Sequence, residues 1–287
     1  MGTIADVLTE AGHNTVLMPV LDPDLDRHTG LRLTTNVIKV ASDSRTAAMF
    51  AQKEKFTTRL WSLNPSAYGM IKVALHTAQS FTYQCEKVLN EEAAISTLKA
   101  WHFDVGIAEA FDICGFGEYC RRLFEIFNVS STIAVTSQVQ ADHVSKAIGV
   151  PGAPSYVPGS ISTKGDTMGI MDRLRNLVET HLGNKFHETL YNMEIALFRE
   201  KFGAKFKGHG EILSQISYFF TNSNPYLDYP HPTIHKVIDI GGIAVSLDAE
   251  RNKLPQNLDE ILKLRETNVV ISFGTVVKAR YMPENYR

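Results

Sequence analysis

Basic residues do not outnumber acidic ones here. Lys+Arg 29 stand against Asp+Glu 31 in 287 residues, a formal net charge of -2. With no run of like charges, that balance leaves no electrostatic footprint for nucleic acid. No stretch reaches the roughly 18 consecutive apolar residues of a membrane-spanning helix. Asp6 and Glu10 interrupt any apolar core of a secretory leader. "MGTIAD" carries Asp6 where a myristoylation signal needs Ser or Thr. Cysteine is scarce. Cys85, Cys114 and Cys120 cannot all pair with one another and lack the spacing of a zinc site, so buried thiols are the expectation. A P-loop, an HExxH helix and a Ser-His-Asp order are missing as well. Taken as written, the segment reads as cytosolic. The sequon Asn128-Val129-Ser130 then matters only if the chain enters the secretory pathway.

What is present is an ordinary globular balance, 44% hydrophobic and 21% charged, enough for one large core or two smaller ones. Ile4, Val7, Leu8 and Ala11 share one face of a helix that starts at Thr3. Asp6 and Thr3 can cap its start, and Gly12 stands where a C-terminal cap belongs. "TVLMPV" and "TTNVIKVAS" read as strands, "NEEAAISTLKAW" as a helix, "FDVGIAEA" as a strand, "DICGFGEYCRRLFEIF" as a helix and "SSTIAVTS" as a strand. Alternation of this kind predicts α/β architecture, a parallel sheet with helices on both faces. A helix before the first strand is an odd opening for such a domain, which suggests a cut N-terminus.

After Val150 the texture changes. "VPGAPSYVPGS" is a loop. Two amphipathic helices are expected next, one over Ile170–Val178 ending near Gly183, the other over Phe186–Leu197 ending before Gly203. "ISYFFTNSNPYLDYPHPTIHKVIDIGGI" holds a strand, a turn cluster and a second extended stretch. "SLDAERNKLPQN" reads as a linker, and "LPQNLDEILKLRE" as a capped helix. In "VVISFGT", Val269, Val270, Ile271 and Phe273 read as a buried parallel strand closed by a Gly turn. Many nucleotide-binding domains begin that way.

Carboxylates supply the strongest candidate site. Glu109 and Asp112 fall at the C-terminal edge of a predicted buried strand, where open α/β sheets place their sites. A carboxylate there can orient a histidine that acts as a base. Equally, Asp112 can simply cap the following helix while Glu109 faces water. "GFG" before a helix is a poor dinucleotide fingerprint. Cys120 replaces the third Gly, and the next strand ends in "TSQVQ" without a ribose-binding acid. His231 and His235 have helical spacing, but Pro232 spoils the helix, so no metal site is expected. His13 follows a helix end and has a structural reading.

"IADVLTEAGHNTVLMPVLDP", "FDVGIAEAFDICG", "FFTNSNPYLDYPHPT" with "IGGI", and "VVISFGT" occur in the order seen in UDP-glucuronosyl/UDP-glucosyltransferases. The chain resembles that family over essentially its whole length. The resemblance implies a GT-B fold: two Rossmann-like domains facing each other across a cleft, with the acceptor on the N-terminal domain and the UDP-sugar on the C-terminal one. Residues 1–245 would be the acceptor-binding domain, 246–256 the linker, and 257–287 the first helix and strand of an incomplete UDP-sugar-binding domain. Gly274 and Thr275 match the loop residues that approach the donor phosphates. The downstream "HGG…DQ…N" signature is absent.

The family reaction is inverting transfer from a UDP-sugar co-substrate to a small lipophilic acceptor hydroxyl, with no other cofactor. A histidine takes the acceptor's proton, and an Asp five positions before a Cys-Gly pair steadies it. Glu109 occupies the Asp position, with Asp112 as the runner-up, and no histidine of this sequence matches the base. The resemblance also implies a lumenal enzyme of the endoplasmic reticulum membrane. Two expectations follow: an incomplete form of an enzyme, inactive by itself, or a non-catalytic acceptor- or partner-binding form that pairs with full-length family members.

Overall fold

Short runs of β-branched, small and aromatic residues form the central sheet in a computed structural model of the chain. Four strands lie parallel in the order β3 (Val105–Glu109), β4 (Ser131–Thr136), β5 (Tyr218–Thr221) and β6 (Val237–Asp239). Their register pairs Glu109 with Val135, Ala134 with Phe219, and Thr221 with Asp239. A separate parallel pair joins β1 (Val16–Leu17) to β2 (Asn36–Val37). The structure describes residues 1–18, 30–51, 61, 67–115, 129, 131–139, 141–160, 162, 164–246, 248, 253–272 and 279–286.

Helices flank the sheet, so the α/β architecture read from the sequence holds. The helices among the described residues are α1 (Gly2–Glu10), α2 (Ser44–Ala51), α3 (Ala67–Leu89), α4 (Glu92–Lys99), α5 (Asp142–Ile148), α6 (Ile170–Phe202), α7 (His209–Ser214) and α8 (Gln256–Leu262). The main core gathers Cys85 and Leu89 of α3, Val144 of α5, Leu190, Tyr191, Ile195 and Phe198 of α6, and Leu213 of α7 over Ala134 and Phe219 of the sheet. Small Ala134 opposite large Phe219 lets helix side chains interdigitate with the strands. A satellite cluster sets Ile95 and Leu98 of α4 against Val16, Met18 and Ile38, tying the β1–β2 pair to the rest. Helix α3 was not anticipated, although Ala78, Phe81, Cys85 and Leu89 recur at helical spacing.

Several local expectations are corrected. Helix α1 has no side-chain cap. Asp6 instead reaches out of the helix and accepts the backbone N–H groups of Arg32 (2.7 Å), Leu33 (3.0 Å) and Thr34 (2.9 Å). Three donors aimed at one carboxylate outcompete a cap role. Burial pushes the Asp6 pKa up, but those N–H bonds more than offset it and hold the group below its ordinary value.

The two helices expected around Gly183 are one, α6, a single element of 33 residues. Gly183 does not end it because it lies on the buried face, in line with Asn176, His187 and Glu194. A helical glycine costs only about 1 kcal/mol, which packing on that face offsets. Ile170, Met171, Leu174, Leu177 and Val178 stay exposed on the other side. Asn176 takes the inward position instead. Its side chain accepts the Gly159 N–H (2.9 Å) and donates to the carbonyls of Pro154 (2.7 Å) and Val157 (2.8 Å). The Pro/Gly loop is therefore fixed by a polar anchor beside its buried Val157.

Helix α8 buries none of its residues. Val269, Val270 and Ile271 are 83%, 78% and 71% exposed and join no ladder among the described residues. A parallel strand needs a hydrogen-bonding neighbour, and none of the described strands lies beside this run. The rest of that predicted strand and loop, with Gly274 and Thr275, lies outside the described residues. So does most of the helix expected after Asp112.

Candidate functional site

All four strands of the sheet deliver their chains to one edge, and polar side chains stitch that edge together. Glu109 ends β3, and its Oε1 accepts the Ser137 backbone N–H (2.8 Å) and the Ser137 hydroxyl (3.1 Å) just past β4. Asn222, just past β5, donates its Nδ2 to the Ser137 carbonyl (3.1 Å). The Ser223 hydroxyl donates to the Val139 carbonyl. Gly241 closes the seam from β6, its N–H donating to the Ser223 carbonyl (2.9 Å). A Cβ on Gly241 would collide with that carbonyl, which is why the "IGGI" stretch carries glycine there. Alongside, Thr221 donates its hydroxyl to Asp239 Oδ1 (2.8 Å). Glu109 is thus an anchored carboxylate at the carboxyl edge and not a freely solvated one.

Beneath the edge runs the loop 110–115, held from several sides. The Tyr191 hydroxyl donates to the Ala110 carbonyl at 2.6 Å. His143 Nε2 lies 3.4 Å from the same oxygen. The Ile113 N–H donates to Glu194 Oε2 (2.8 Å). Asp112 Oδ1 accepts the Cys114 N–H (2.9 Å), closing a local turn. A Cβ on Gly115 would lie 2.7 Å from the Ala108 Cβ, so the first glycine of "GFG" is there for close approach to the strand.

Cys85 and Cys114 form a disulfide, with Cα atoms 5.7 Å apart. This corrects the expectation of buried thiols. Helix α3 and the site loop meet within bridging distance, which a separation of 29 residues in sequence could not reveal.

Low polarity below the loop controls its ionisation. Burial, with the nearby Glu109 charge adding to it, lifts Asp112 to about 6 against two N–H bonds that lower it. Burial, then Asp112, holds Glu194 well above the ordinary glutamate value. Tyr191 is raised by the same burial and by both carboxyls. The His143 and His187 rings stack at 3.6 Å and 8°. His187 Nδ1 donates to the Gly183 carbonyl (3.2 Å), and its Nε2 is buried without a partner. Burial, followed by the neighbouring His187, depresses His143 to about 3; burial also lowers His187. Both rings are therefore neutral at physiological pH, and neither can act as a cation there.

Of the residues proposed from sequence, Glu109 and Asp112 come to the same edge in different settings, one tied to the seam and the other under it. His231 accepts no role with His235; its Nδ1 lies 2.8 Å from the Tyr229 carbonyl. Among the described residues no group of three or more His, Cys, Asp or Glu could hold a metal ion. Nor is any helix there long and apolar enough to cross a membrane. Sequence reasoning missed His187, Tyr191 and Glu194. The available signal was polar groups at helical spacing on the face that Leu190, Ile195 and Phe198 define as buried.

The family described as "UDP-glucoronosyl and UDP-glucosyl transferase" matches residues 1–286. Two Caenorhabditis elegans proteins named "Putative UDP-glucuronosyltransferase", ugt-55 and ugt-56, are 26% and 27% identical to it over 291 and 287 residues. Those alignments cover 100% and 99% of this chain but 54% and 52% of the relatives. A Rattus norvegicus protein named 2-hydroxyacylsphingosine 1-beta-galactosyltransferase is 24% identical, over 99% of this chain and 49% of its own length. The chain thus spans about half the length of the curated relatives it matches. No solved structure matches it.

Proposed function

The chain belongs to the family of UDP-glucuronosyl and UDP-glucosyl transferases, and from that premise we propose that it is the acceptor side of a UDP-sugar-dependent transferase. Residues 1–245 bind a small lipophilic acceptor. Residues 257–287, with Gly274 and Thr275 near the donor phosphates, begin the UDP-sugar side. The observation that carries this reading is the anchored Glu109 carboxylate at the carboxyl edge of the sheet. A negative group held rigidly there can steady a histidine as it takes the acceptor's proton, while the acceptor oxygen attacks the anomeric carbon and UDP leaves. Exposed Tyr226, Leu227 and Tyr229, on the loop leaving that edge, offer apolar surface to such an acceptor.

The 287-residue chain alone transfers no sugar on this reading, because no histidine of it matches the family's base and the donor signature is absent from it. The Cys85–Cys114 bridge supports maturation in an oxidising compartment, as in the lumen of the endoplasmic reticulum, and argues against the cytosol. A non-catalytic form that pairs with full-length relatives is the second reading. The exposed apolar stripe on α6 favours it.

The test joins this chain to the unaligned parts of a full-length relative and measures UDP release from UDP-glucose and UDP-glucuronate with a phenolic acceptor. The hybrid should turn over while the chain alone does not. Glu109→Gln should lower kcat on the order of 10²–10⁴-fold with little change in acceptor KM, since the histidine's charge appears only in the transition state. Near-parental kcat in that variant would remove Glu109 from the reaction. A hybrid that binds the acceptor without turning over would favour the second reading.

A further inference from the structure

We propose that Glu194 is the positioning residue of the sheet-edge site, a neutral acid that fixes the 112–114 backbone and leaves Asp112 as the member of the pair able to carry charge. The inference deepens the proposed transferase reading and rests on it, because the loop it concerns leads directly from Glu109.

Three observations carry it. Glu194 is fully buried, at 0% exposure, on the inward face of α6. One of its oxygens holds the Ile113 N–H at 2.8 Å, which ties the middle of the loop to helix α6. Its other oxygen, Oε1, has no partner. A buried carboxylate with an unpartnered oxygen is costly, and a buried carboxylic acid much less so.

Asp112 is the less enclosed of the two and has its own N–H donor at Cys114. Two buried carboxyls that hold successive N–H groups, those of Ile113 and Cys114, cannot both ionise cheaply, so the proton stays with the one that has more to lose by losing it. The surroundings supply no cation to change that order. Among the described residues no lysine or arginine pairs with either group. Glu109 faces Asp112 from β3 and Tyr191 faces both carboxyls from α6, while the rings of His143 from α5, His187 from α6 and His209 from α7 surround Tyr191. The two core histidines, His143 and His187, are held neutral by burial. From α3 comes Cys85, which does not titrate because it is bonded to Cys114.

Glu194 therefore does two things for the edge. It fixes where the loop after Glu109 runs, and it keeps a second negative charge away from Asp112. Glu109 then works beside a neutral acid and a single tunable carboxyl, instead of beside two anions.

The 287-residue chain, labelled with ¹³C at Asp and Glu side-chain carboxyls, tests this by NMR titration and amide hydrogen exchange. Glu194→Gln replaces the neutral acid by a neutral amide that can still accept the Ile113 N–H. The Asp112 midpoint should then stay within about half a pH unit of the parent value. A fall of roughly one unit or more would mean that Glu194 had been the ionised member, and would overturn the proposal. Glu194→Leu removes the acceptor, and exchange at the Ile113 amide should accelerate on the order of 10-fold or more. Unchanged exchange there would refute the backbone role. If the Leu variant does not fold, the Gln titration still decides the charge assignment. Neither readout needs sugar transfer, so a transferase assay that fails would count against the proposed function and not against this assignment.

Discussion

Removing the Cys85–Cys114 bridge gives the sharpest test of the site's construction. The bridge closes a loop of 29 residues between α3 and the loop after β3. In the chain-entropy account a closed loop of that length destabilises the unfolded ensemble by about 3.6 kcal/mol at 25 °C. With roughly 2.1 cal/mol/K of unfolding entropy per residue, loss of that contribution lowers Tm by ~6 °C if all 287 residues melt together. A smaller melting unit would show a larger shift.

Cys85 is 1% exposed in the main core, so Cys85→Ala adds a small cavity cost, whereas Cys114→Ala is the milder change. Either single substitution breaks the bridge. Each should therefore lose close to the whole amount, and the double substitution should lose little more. Urea unfolding of the parent, both singles and the double gives the coupling energy directly. Dithiothreitol should bring the parent to the level of the variants and leave the variants unmoved. Under denaturing, non-reducing conditions, alkylation should label one thiol of the three cysteines in the parent. Additive losses in the two singles, three labelled thiols, or a parent indifferent to reductant would each refute the bridge and the oxidising compartment inferred from it.

Asp112→Asn should stabilise the fold in a pH-dependent way. Between the ordinary 3.8 and about 6, folded Asp112 keeps a proton that the unfolded chain has lost. Stability falls as pH rises through that window, so the variant should gain up to about 3 kcal/mol on the parent at pH 7.5 and nothing near pH 3. Urea curves at the two pH values check it; an equal difference at both would show that the Asp112 pKa is not raised. Asn176→Ala should cost about 2–4 kcal/mol, because the Gly159 N–H and the Pro154 and Val157 carbonyls lose one shared partner. Limited proteolysis should then cut within residues 153–160, and resistance equal to the parent would show that the loop is held by something else.

The carboxyl-edge position of Glu109 was legible in the sequence because a buried parallel strand has a direction and a length that its own residues declare. The alternation of helix and strand gave the α/β class for the same reason: hydrophobic periodicity is local and survives without its partners. Gly12 at the end of α1 and Gly203 at the end of α6 were readable from backbone preference, and both adopt positive φ.

Elsewhere the local signal pointed the wrong way. Gly183 looks like a helix end in sequence, yet packing keeps α6 continuous through it. Apolar Ile170, Leu174 and Leu177 look like a core stripe, yet Asn176 takes the inward place. Asp6 looks like a cap, yet it serves a segment 26 to 28 residues away.

The sequence by itself determined the α/β alternation and which edge carries the carboxylates. Only the tertiary structure decided that Cys85 bonds Cys114, that Glu194 holds Ile113, and that burial lifts the Asp112 pKa. The reason is physical. Secondary structure follows from neighbours along the chain, whereas ionisation and cross-linking depend on dielectric and distance between groups that sequence separation does not encode.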